Sequence, residues 1–291
     1  MASVADAQQA FKTPEDAARA LVGAAKAGGD LKAFITVLGP DGKDIVSSGD
    51  DVADAETLRK FVAAYDAKNR IAMEGENKAV LVIGQDEFSL PIPLVRKGEM
   101  WRFDTAAGRD EILVRRIGKN ELDTIQAALA YVDAQNEYAE KDRTGAGMNT
   151  YARRIVSQPG KKDGLYWPVS QGEEESPLGQ LVAQATSEGY RAGGAPAPYH
   201  GYYFKILTRQ GPAADGGEYD YVVQDKMIGG FALIAYPAEY GNSGVMTFLV
   251  NHAGTVFQKD LGPNTSRIAA QTTSFNPDKT WQKVSDTAPV R

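Results

Sequence analysis

The sequence predicts an α+β protein built in two parts. Helical patterns precede strand patterns in the first hundred or so residues, a long amphipathic helical segment follows near residues 120–141, and strand patterns return after Tyr199. A chain of 291 residues is longer than one ordinary core fills. We therefore expect an N-terminal α+β domain over residues 11–118 and a C-terminal α+β domain over residues 119–285.

The first elements are helices with recognisable caps. In Thr13-Pro14-Glu15-Asp16, a capping threonine is followed by proline at the first helical position and by an acid three residues past the cap. This helix is predicted to end at Gly28-Gly29, because helical glycine is unfavourable. Asp30 is predicted to cap a second helix, and Asp54 or a neighbour to open another.

The pattern becomes strand-like after Arg70. The predicted strands cover residues 70–74, 78–84, 88–95 and 100–104. Pro91 and Pro93 lack the N–H that a ladder requires, which places the third strand at an edge or a bulge. Helices followed by a curved antiparallel sheet predict a cone-like N-terminal domain.

The long helix is predicted to begin at Asn120, where Asn120-Glu121-Leu122-Asp123 has the pattern of a cap followed by an acid. Its apolar seam is predicted from residues at three- and four-residue steps: Leu122, Ile125, Leu129, Val132 and Asn136. A helix of this length spans roughly 30 Å and can cross a whole sheet. We expect Leu129→Asp to unfold the C-terminal half, because it buries an unpaired charge.

The C-terminal half continues with a loop-rich segment over residues 144–198. It is predicted to hold a short helix near residues 151–156 and a helix capped by Ser176-Pro177 that ends at Gly189. Predicted strands then cover residues 202–208, 219–223, 230–236, 245–251 and 255–259. This order predicts a long helix packed on an antiparallel sheet.

Composition excludes several classes of protein. The net charge is −6, so the chain lacks the concentrated positive field of a nucleic-acid-binding protein. The longest apolar runs are too short to cross a membrane as a helix. The chain contains no cysteine, so disulfides and thiol catalysis are excluded. Its first twelve residues lack the basic start and apolar core of a secretory signal, and the compartment stays open on these grounds.

Two sequence blocks carry a family resemblance. The first is Asp163-Gly-Leu-Tyr-Trp-Pro168 with Ser176-Pro-Leu-Gly179, and the second runs from Pro198-Tyr-His-Gly-Tyr-Tyr-Phe204 through Gly229–Tyr240 to Phe257–Gly262. Together they resemble the bacterial family called domain of unknown function 2950, over nearly the whole chain. Members usually begin with an export signal, so the resemblance implies a periplasmic or otherwise extracytoplasmic protein. It implies no activity and no catalytic residues.

A second resemblance concerns the C-terminal half. A helix ending in Ala-Gln-Asn-Glu-Tyr138, a loop, Gly201-Tyr-Tyr-Phe204, an Ala-Tyr-Pro strand and a Gly-rich hairpin are together similar to the globular part of type IV pilins and pseudopilins. That resemblance implies a pilin-like fold, although a folded domain stands here where those proteins have an apolar membrane helix. The order of elements in the N-terminal half is similar to cystatin-type or nuclear-transport-factor-type cones.

The aromatic segment around His200 is the strongest candidate binding site. It combines a titratable group with aromatic side chains, and the predicted ligand- or partner-binding residues are Tyr199, His200, Tyr202, Tyr203 and Phe204. Neither His200 nor His252 has a second ligand at metal spacing. Structural roles are therefore the alternative for both histidines.

An acidic loop is the candidate metal site. Asp215, Glu218 and Asp220 offer hard oxygen ligands for Ca²⁺, with Asp225 as a fourth. The spacing is not that of a helix–loop–helix calcium motif, and a solvated loop is the alternative. The turn Tyr240–Gly244 holds Ser243 next to glycine, but a strand follows it, unlike a nucleophile elbow. The glycine pairs lack the spacing of a nucleotide loop, so no cofactor is predicted.

Two functions remain open from the sequence. The first is a non-enzymatic cell-envelope protein that binds another envelope protein or component through its folded surfaces. The second is a small-molecule-binding protein or hydrolase with an apolar pocket in or between the domains, for which Tyr65, Trp101 and Phe103 are candidate lining. The sequence fixes neither the ligand nor the oligomeric state.

Overall fold

The computed structural model describes residues 8–28, 30–170, 172–193 and 197–284. It confirms the α+β class, because helices combine with open antiparallel sheets. The chain divides between Ile117 and Gly118 into two compact units, called here the N-terminal unit and the C-terminal unit.

Among its described residues, the N-terminal unit contains four complete helices and a five-stranded antiparallel sheet. The helices are α1 (Pro14–Lys26), α2 (Leu31–Leu38), α3 (Gly42–Val46) and α4 (Asp51–Ala67). The strands are β1 (Asn69–Met73), β2 (Lys78–Ile83), β3 (Phe88–Ser89), β4 (Leu94–Lys97) and β5 (Met100–Phe103). A fifth helix, α5 (Thr105–Tyr138), starts in this unit and continues past residue 117.

Most of the local sequence signals in this unit lead to the structure that they predict. The Thr13 hydroxyl accepts the Asp16 N–H at 3.1 Å and caps α1, while Gly29 lies outside the described residues. Asp50, rather than Asp54, caps α4 by accepting the Ala53 N–H at 3.1 Å. The core packs α1 and α2 against the sheet, for example through Leu21 and Phe34.

The strand predicted over residues 88–95 is two strands. Both β3 and β4 pair with β2, and the sheet order is β1-β2-β4-β5 with β3 beside β2. Pro91 and Pro93 lie between β3 and β4. Since neither proline can donate a ladder hydrogen bond, the pairing is interrupted there.

Helix α5 is longer than predicted. Asn120 is an interior residue of the helix, not its cap, and its buried side-chain amide donates to the Ser243 carbonyl at 2.9 Å. Of the predicted seam, Val132 is buried and Ile125 and Leu129 pack against the core, whereas Leu122 is 51% exposed and Asn136 is exposed. The most buried stripe contains Thr124, Ala128, Tyr131, Gln135 and Tyr138. Because this stripe includes small and polar residues, a pattern based on large apolar side chains does not detect it.

The C-terminal unit contains the end of α5, two further helices and ten strands among its described residues. The helices are α6 (Gly179–Ser187) and α7 (Thr265–Gln271). The strands are β6 (Tyr202–Leu207), β7 (Arg209–Gln210), β8 (Tyr219–Asp220), β9 (Val222–Val223), β10 (Lys226–Met227), β11 (Ala232–Pro237), β12 (Met246–Asn251), β13 (Phe257–Asp260), β14 (Ser274–Phe275) and β15 (Gln282–Lys283).

Five of these strands form the main antiparallel sheet, in the order β15-β13-β12-β11-β6. Two predictions for this half are wrong, and one helix was not predicted. No helix forms near residues 151–156, where Tyr151 instead bridges to Met227. Helix α6 begins at Gly179, and the buried Ser176 hydroxyl has no hydrogen-bond partner among the described residues, so Ser176 is not its cap. Helix α7 was not predicted.

Within the described residues, no helix combines the length and apolar character needed to span a membrane.

Candidate functional site

The turn before β6 has an unusual backbone. His200 has φ +49°, a left-handed conformation that is uncommon outside glycine, and Gly201 follows with φ +76°. A β-carbon on Gly201 would lie 2.6 Å from the Asn120 side-chain nitrogen, so glycine is required there. The turn is closed by paired backbone hydrogen bonds between Tyr199 and Tyr202.

His200 lies between two carboxylates. Its Nδ1 is 3.3 Å from Oδ2 of Asp123 on α5, and its Nε2 is 3.1 Å from Oε2 of Glu188, just after α6. No hydrogen bond from the described residues reaches the buried Glu188 Oε2, so its contact with His200 is electrostatic in character. Lys119 also contacts Asp123 at 2.5 Å, which compensates part of its charge.

Aromatic rings enclose the same histidine. The Tyr199 and His200 rings are 4.2 Å apart, and the Tyr190 hydroxyl accepts the His200 backbone N–H at 3.2 Å. Burial, reinforced by the carboxylates of Glu188 and Asp123, raises the pKa of Tyr199 to about 12. Because both ring nitrogens of His200 face carboxylates, the group connects three chain segments and is poorly placed to act as a free base.

The other residues of the predicted aromatic site point in different directions. Tyr202 is fully buried, and its hydroxyl donates to the Met246 carbonyl at 3.0 Å. Phe204 packs against the same core. Tyr203 is on the opposite face of β6, with its ring 5.6 Å from that of Tyr236. Thus only Tyr199 and His200 of the five share one site.

The acidic-loop residues are exposed and do not converge. Glu218 pairs with Arg209 at 2.9 Å, and the Gln210 side-chain amide donates to the Asp215 carbonyl at 2.8 Å, which fixes the loop internally. Asp220 is exposed in β8. In the part of the chain that the structure describes, no three His, Asp or Glu side chains are grouped closely enough to hold a metal.

Other candidate residues have structural surroundings. The fully buried Ser243 hydroxyl accepts the Glu239 N–H at 2.9 Å and is used within its turn. His252 packs against the rings of Tyr221 and Phe231. Trp101 and Phe103 are buried in the core of the N-terminal unit, and Tyr65 packs against its smaller hydrophobic cluster. These aromatics fill the core of that unit.

A polar cleft lies entirely within the C-terminal unit. Its volume is about 540 Å³, inside the roughly 300–1,000 Å³ range of small-molecule sites. Its walls come from the end of α5, from the segment over residues 144–163 and from the β9–β10 hairpin. The lining residues are Tyr138, Thr144, Thr150, Tyr151, Arg153, Arg154, Asp163, Asp225, Lys226 and Met227.

The walls of the cleft are joined by specific contacts. The Tyr151 N–H donates to the Met227 carbonyl at 2.8 Å, which attaches the 144–163 segment to the hairpin. The Tyr138 hydroxyl donates to the Lys162 carbonyl at 2.6 Å. Burial, followed by the charge of Asp163, raises the pKa of Tyr138 to about 12, so this hydroxyl stays protonated.

The hairpin tip is strained. Gln224 and Asp225 both have left-handed backbones, with φ +48° and φ +63°, where hairpins of this type usually place Asn-Gly. Arg153 holds the tip, because its Nη1 donates to both the carbonyl and the carboxylate of Asp225 at 3.0 Å. Strain of this kind clusters at ligand clamps and switch regions.

Sequence reasoning missed the cleft and half of the histidine cluster. Asp123, Glu188 and His200 are far apart in the sequence, and nothing local pairs them. Apart from Tyr138 of α5, the cleft residues lie in the irregular segment over residues 144–163 and in the β9–β10 hairpin, which lack periodicity. The one local signal was Gln224-Asp225, a polar pair between two short apolar segments, which is typical of a hairpin turn.

The C-terminal unit therefore combines an α+β fold with a polar cleft and, separately from the cleft, the contacts of His200 with Asp123 and Glu188. A family model described as Protein of unknown function (DUF2950) matches residues 8–284, and the chain belongs to that family. Comparison with curated proteins gives no match. Comparison with solved structures gives no match either.

Proposed function

We propose that this protein is a non-enzymatic binding protein of the bacterial cell envelope that takes a small polar molecule in the cleft of its C-terminal unit. The cleft carries the proposal, because its volume suits a small molecule and its walls are already joined by hydrogen bonds. The periplasmic or otherwise extracytoplasmic location is supported by the resemblance to exported members of the family.

The surroundings of the reactive residues favour binding over catalysis. Both nitrogens of His200 face carboxylates, and the Ser243 hydroxyl is buried in its own turn. Among the described residues, the cleft itself is lined by no histidine or serine. The carboxylates that line it, Asp163 and Asp225, lie 3.7 Å from Arg154 and 3.0 Å from Arg153.

A thermal-shift screen with metabolites tests the binding function. A molecule that binds only the native state raises the melting temperature. We expect Thr144→Trp, at an exposed position in the cleft wall, to remove that shift by filling the cleft. Thr186→Trp, at an exposed position of α6, is the matched control and should keep it. A shift that survives in Thr144→Trp, or a hit converted to product during incubation, would contradict the proposal.

A second candidate function is docking of an extended segment of another envelope protein on the edge strand β1. The Glu74 N–H donates to the Lys78 carbonyl, and the Gly84 N–H donates to the Lys68 carbonyl. In this register, the backbone N–H and C=O groups of the even-numbered residues of β1 point toward β2. The backbone groups of Ile71 and Met73 therefore point outward, and the described residues give them no hydrogen-bond partner. An open edge of this kind favours addition of a strand.

Affinity capture with paired variants tests the docking function. Met73 is 54% exposed at the open edge, and Val114, at 69%, is an exposed apolar control in the same unit. We expect Met73→Pro to lose a partner, identified by mass spectrometry from periplasmic and membrane fractions, that Val114→Asp retains. Equal recovery by both variants would rule out the edge as the docking site. The pilin-like resemblance adds assembly with other envelope components to this candidate.

A further inference from the structure

We infer that the ligand of the cleft carries a carboxylate or phosphate group, and that the guanidinium of Arg154 is its anchor. This inference rests on the proposed binding function and assigns the chemical class of the ligand. It follows from the charges that line the cleft and from how each one is already engaged.

Three cationic side chains face two carboxylates in the cleft. Arg153, Arg154 and Lys226 contribute +3, while Asp163 and Asp225 contribute −2, so the lining has a net charge of +1. The excess is local, because the whole chain has a net charge of −6. An anion is therefore attracted to this part of an otherwise acidic surface.

The cations differ in how much of their hydrogen-bonding capacity is used. Arg153 is bonded to the hairpin tip at Asp225. The Lys226 ammonium donates to the neutral Ala146 carbonyl at 3.2 Å and forms no ion pair with a carboxylate of the described residues. The Arg154 guanidinium lies 3.7 Å from Asp163, beyond hydrogen-bond distance, and its side chain donates no hydrogen bond to any described residue.

Asp163 is also committed elsewhere. Its Oδ1 accepts the Gln158 backbone N–H at 2.8 Å, which fixes the carboxylate in the loop. Arg154 is therefore a planar fork of five donors, held in the wall of a cleft and only loosely paired. Such a fork matches the two oxygens of a carboxylate or phosphate, which it binds with paired hydrogen bonds.

The neighbouring groups suit the rest of such a ligand. Thr144 and Tyr151 provide hydroxyl groups along the wall, and the Tyr151 ring, which lies 4.9 Å from that of Phe231, provides an apolar surface. A small organic acid or phosphate ester with a hydroxylated body meets each of these groups. A purely cationic molecule would face the excess positive charge.

Titration calorimetry and thermal shift with defined probes test the inference. The oxyanion probes are succinate, citrate and inorganic phosphate, compared with glucose, ethanolamine and chloride at matched ionic strength. We expect at least one oxyanion probe to bind the wild-type protein, and Arg154→Gln to weaken that binding by about tenfold or more. Arg154→Lys keeps the charge but loses the paired donors, so its affinity should lie between those of the wild-type protein and Arg154→Gln.

Arg267→Gln is the matched control, because it removes an exposed arginine of the same unit that does not line the cleft. Arg154 is 54% exposed, so its replacement leaves the core intact, and urea unfolding verifies this. The relative affinities of the carboxylate probes and of phosphate show which of the two groups the site prefers. Loss of binding in Arg154→Gln with retention in Arg267→Gln supports the inference.

Two other results overturn it and are distinguishable. If glucose or ethanolamine binds, Thr144→Trp blocks it and Arg154→Gln does not, the cleft is a binding site but its ligand is not an oxyanion. If no probe of any class separates the wild-type protein from Thr144→Trp, the inference and the proposed binding function both fail.

Discussion

At the scale of single residues, the two histidines differ in the charges around them. His200 is held between Asp123 and Glu188, whereas His252 packs against aromatic rings and its backbone N–H donates to the Phe231 carbonyl. A β-carbon on Gly230 would lie 2.6 Å from the His252 ring, so one side of this otherwise exposed ring is in close contact with the chain. This partial burial predicts an effect of pH on stability.

Burial lowers the pKa of His252 below its ordinary value of 6.5. The unfolded chain keeps the ordinary value, so as the pH falls through about 6.5 the unfolded state takes up a proton before the native state does. The free energy of unfolding should therefore decrease on acidification through this range. Urea midpoints measured across the range should fall less steeply in His252→Asn. Identical slopes in the two proteins would show that His252 contributes nothing.

The hairpin tip makes a second prediction at the residue scale. The left-handed backbone of Gln224 costs about 1 kcal/mol. Asparagine tolerates this conformation better than glutamine does, and a β-branched residue tolerates it worse. We expect Gln224→Asn to be equal to or slightly more stable than wild type, and Gln224→Val to be destabilised by about 1 kcal/mol or more. Chemical denaturation gives both values. A more stable Gln224→Val would mean that the tip is not left-handed in solution.

At the scale of elements, α5 contains two glycines with different surroundings. A β-carbon on Gly108 would lie 2.5 Å from the Pro91 carbonyl oxygen and 2.7 Å from the Ile92 backbone. A β-carbon on Gly118 would meet nothing within 4 Å. Close approach of backbone therefore explains Gly108, and no side-chain clash explains Gly118.

The two alanine substitutions form a matched pair within one helix. Gly118→Ala should raise the free energy of unfolding by up to about 1 kcal/mol, because alanine is the better helix former. Gly108→Ala should lower it by about 1–3 kcal/mol through overpacking. Urea denaturation of both variants measures the difference. A loss of stability in Gly118→Ala would indicate a contact that the described residues do not show.

Elements with local signals were predicted well, and elements set by distant partners were not. Thr13 caps α1 through its own neighbour, and the five strands of the main C-terminal sheet include four that the alternation pattern predicts. Asn120 resembles a cap, yet its partner is Ser243, more than a hundred residues later. Helix α5 runs through this position, from Thr105 to Tyr138. Tyr151 likewise pairs with Met227 instead of forming a helix.

The candidate site shows the same division. His200 and Tyr199 were predicted from their own segment, but Asp123 and Glu188 are brought to them only by the fold. Arg154 has no sequence pattern that distinguishes it from Arg153 beside it. The difference between them is that Arg153 donates hydrogen bonds to Asp225 on the hairpin, whereas Arg154 lies 3.7 Å from Asp163.

At the scale of the whole molecule, the two units have separate hydrophobic clusters. Leu21 belongs to the core of the N-terminal unit and Val132 to that of the C-terminal unit. Each unit also has a buried tryptophan, Trp101 in the first and Trp167 in the second. Each core can therefore be damaged and observed individually.

We expect Val132→Asp to lower the stability of the C-terminal unit by about 3–5 kcal/mol, because it buries an unpaired charge. Leu21→Asp should do the same in the N-terminal unit. With Trp281→Phe and one of the other two tryptophans also replaced, fluorescence follows one unit at a time. An unchanged Trp167 transition in Val132→Asp would show that the buried stripe of α5 is accessible to water. Leu129, which is only partly buried, should give a smaller effect than Val132.

The β9–β10 hairpin also offers a practical means of observing the cleft. The chain has no cysteine, and Val223, beside the hairpin tip, is 46% exposed. Val223→Cys would therefore give a single thiol for an environment-sensitive dye, without competing labelling sites. Since Asp225 and Lys226 of the same hairpin line the cleft, a molecule entering it changes the surroundings of the dye. The emission of this labelled protein would report occupancy directly, including for compounds that leave the melting temperature unchanged.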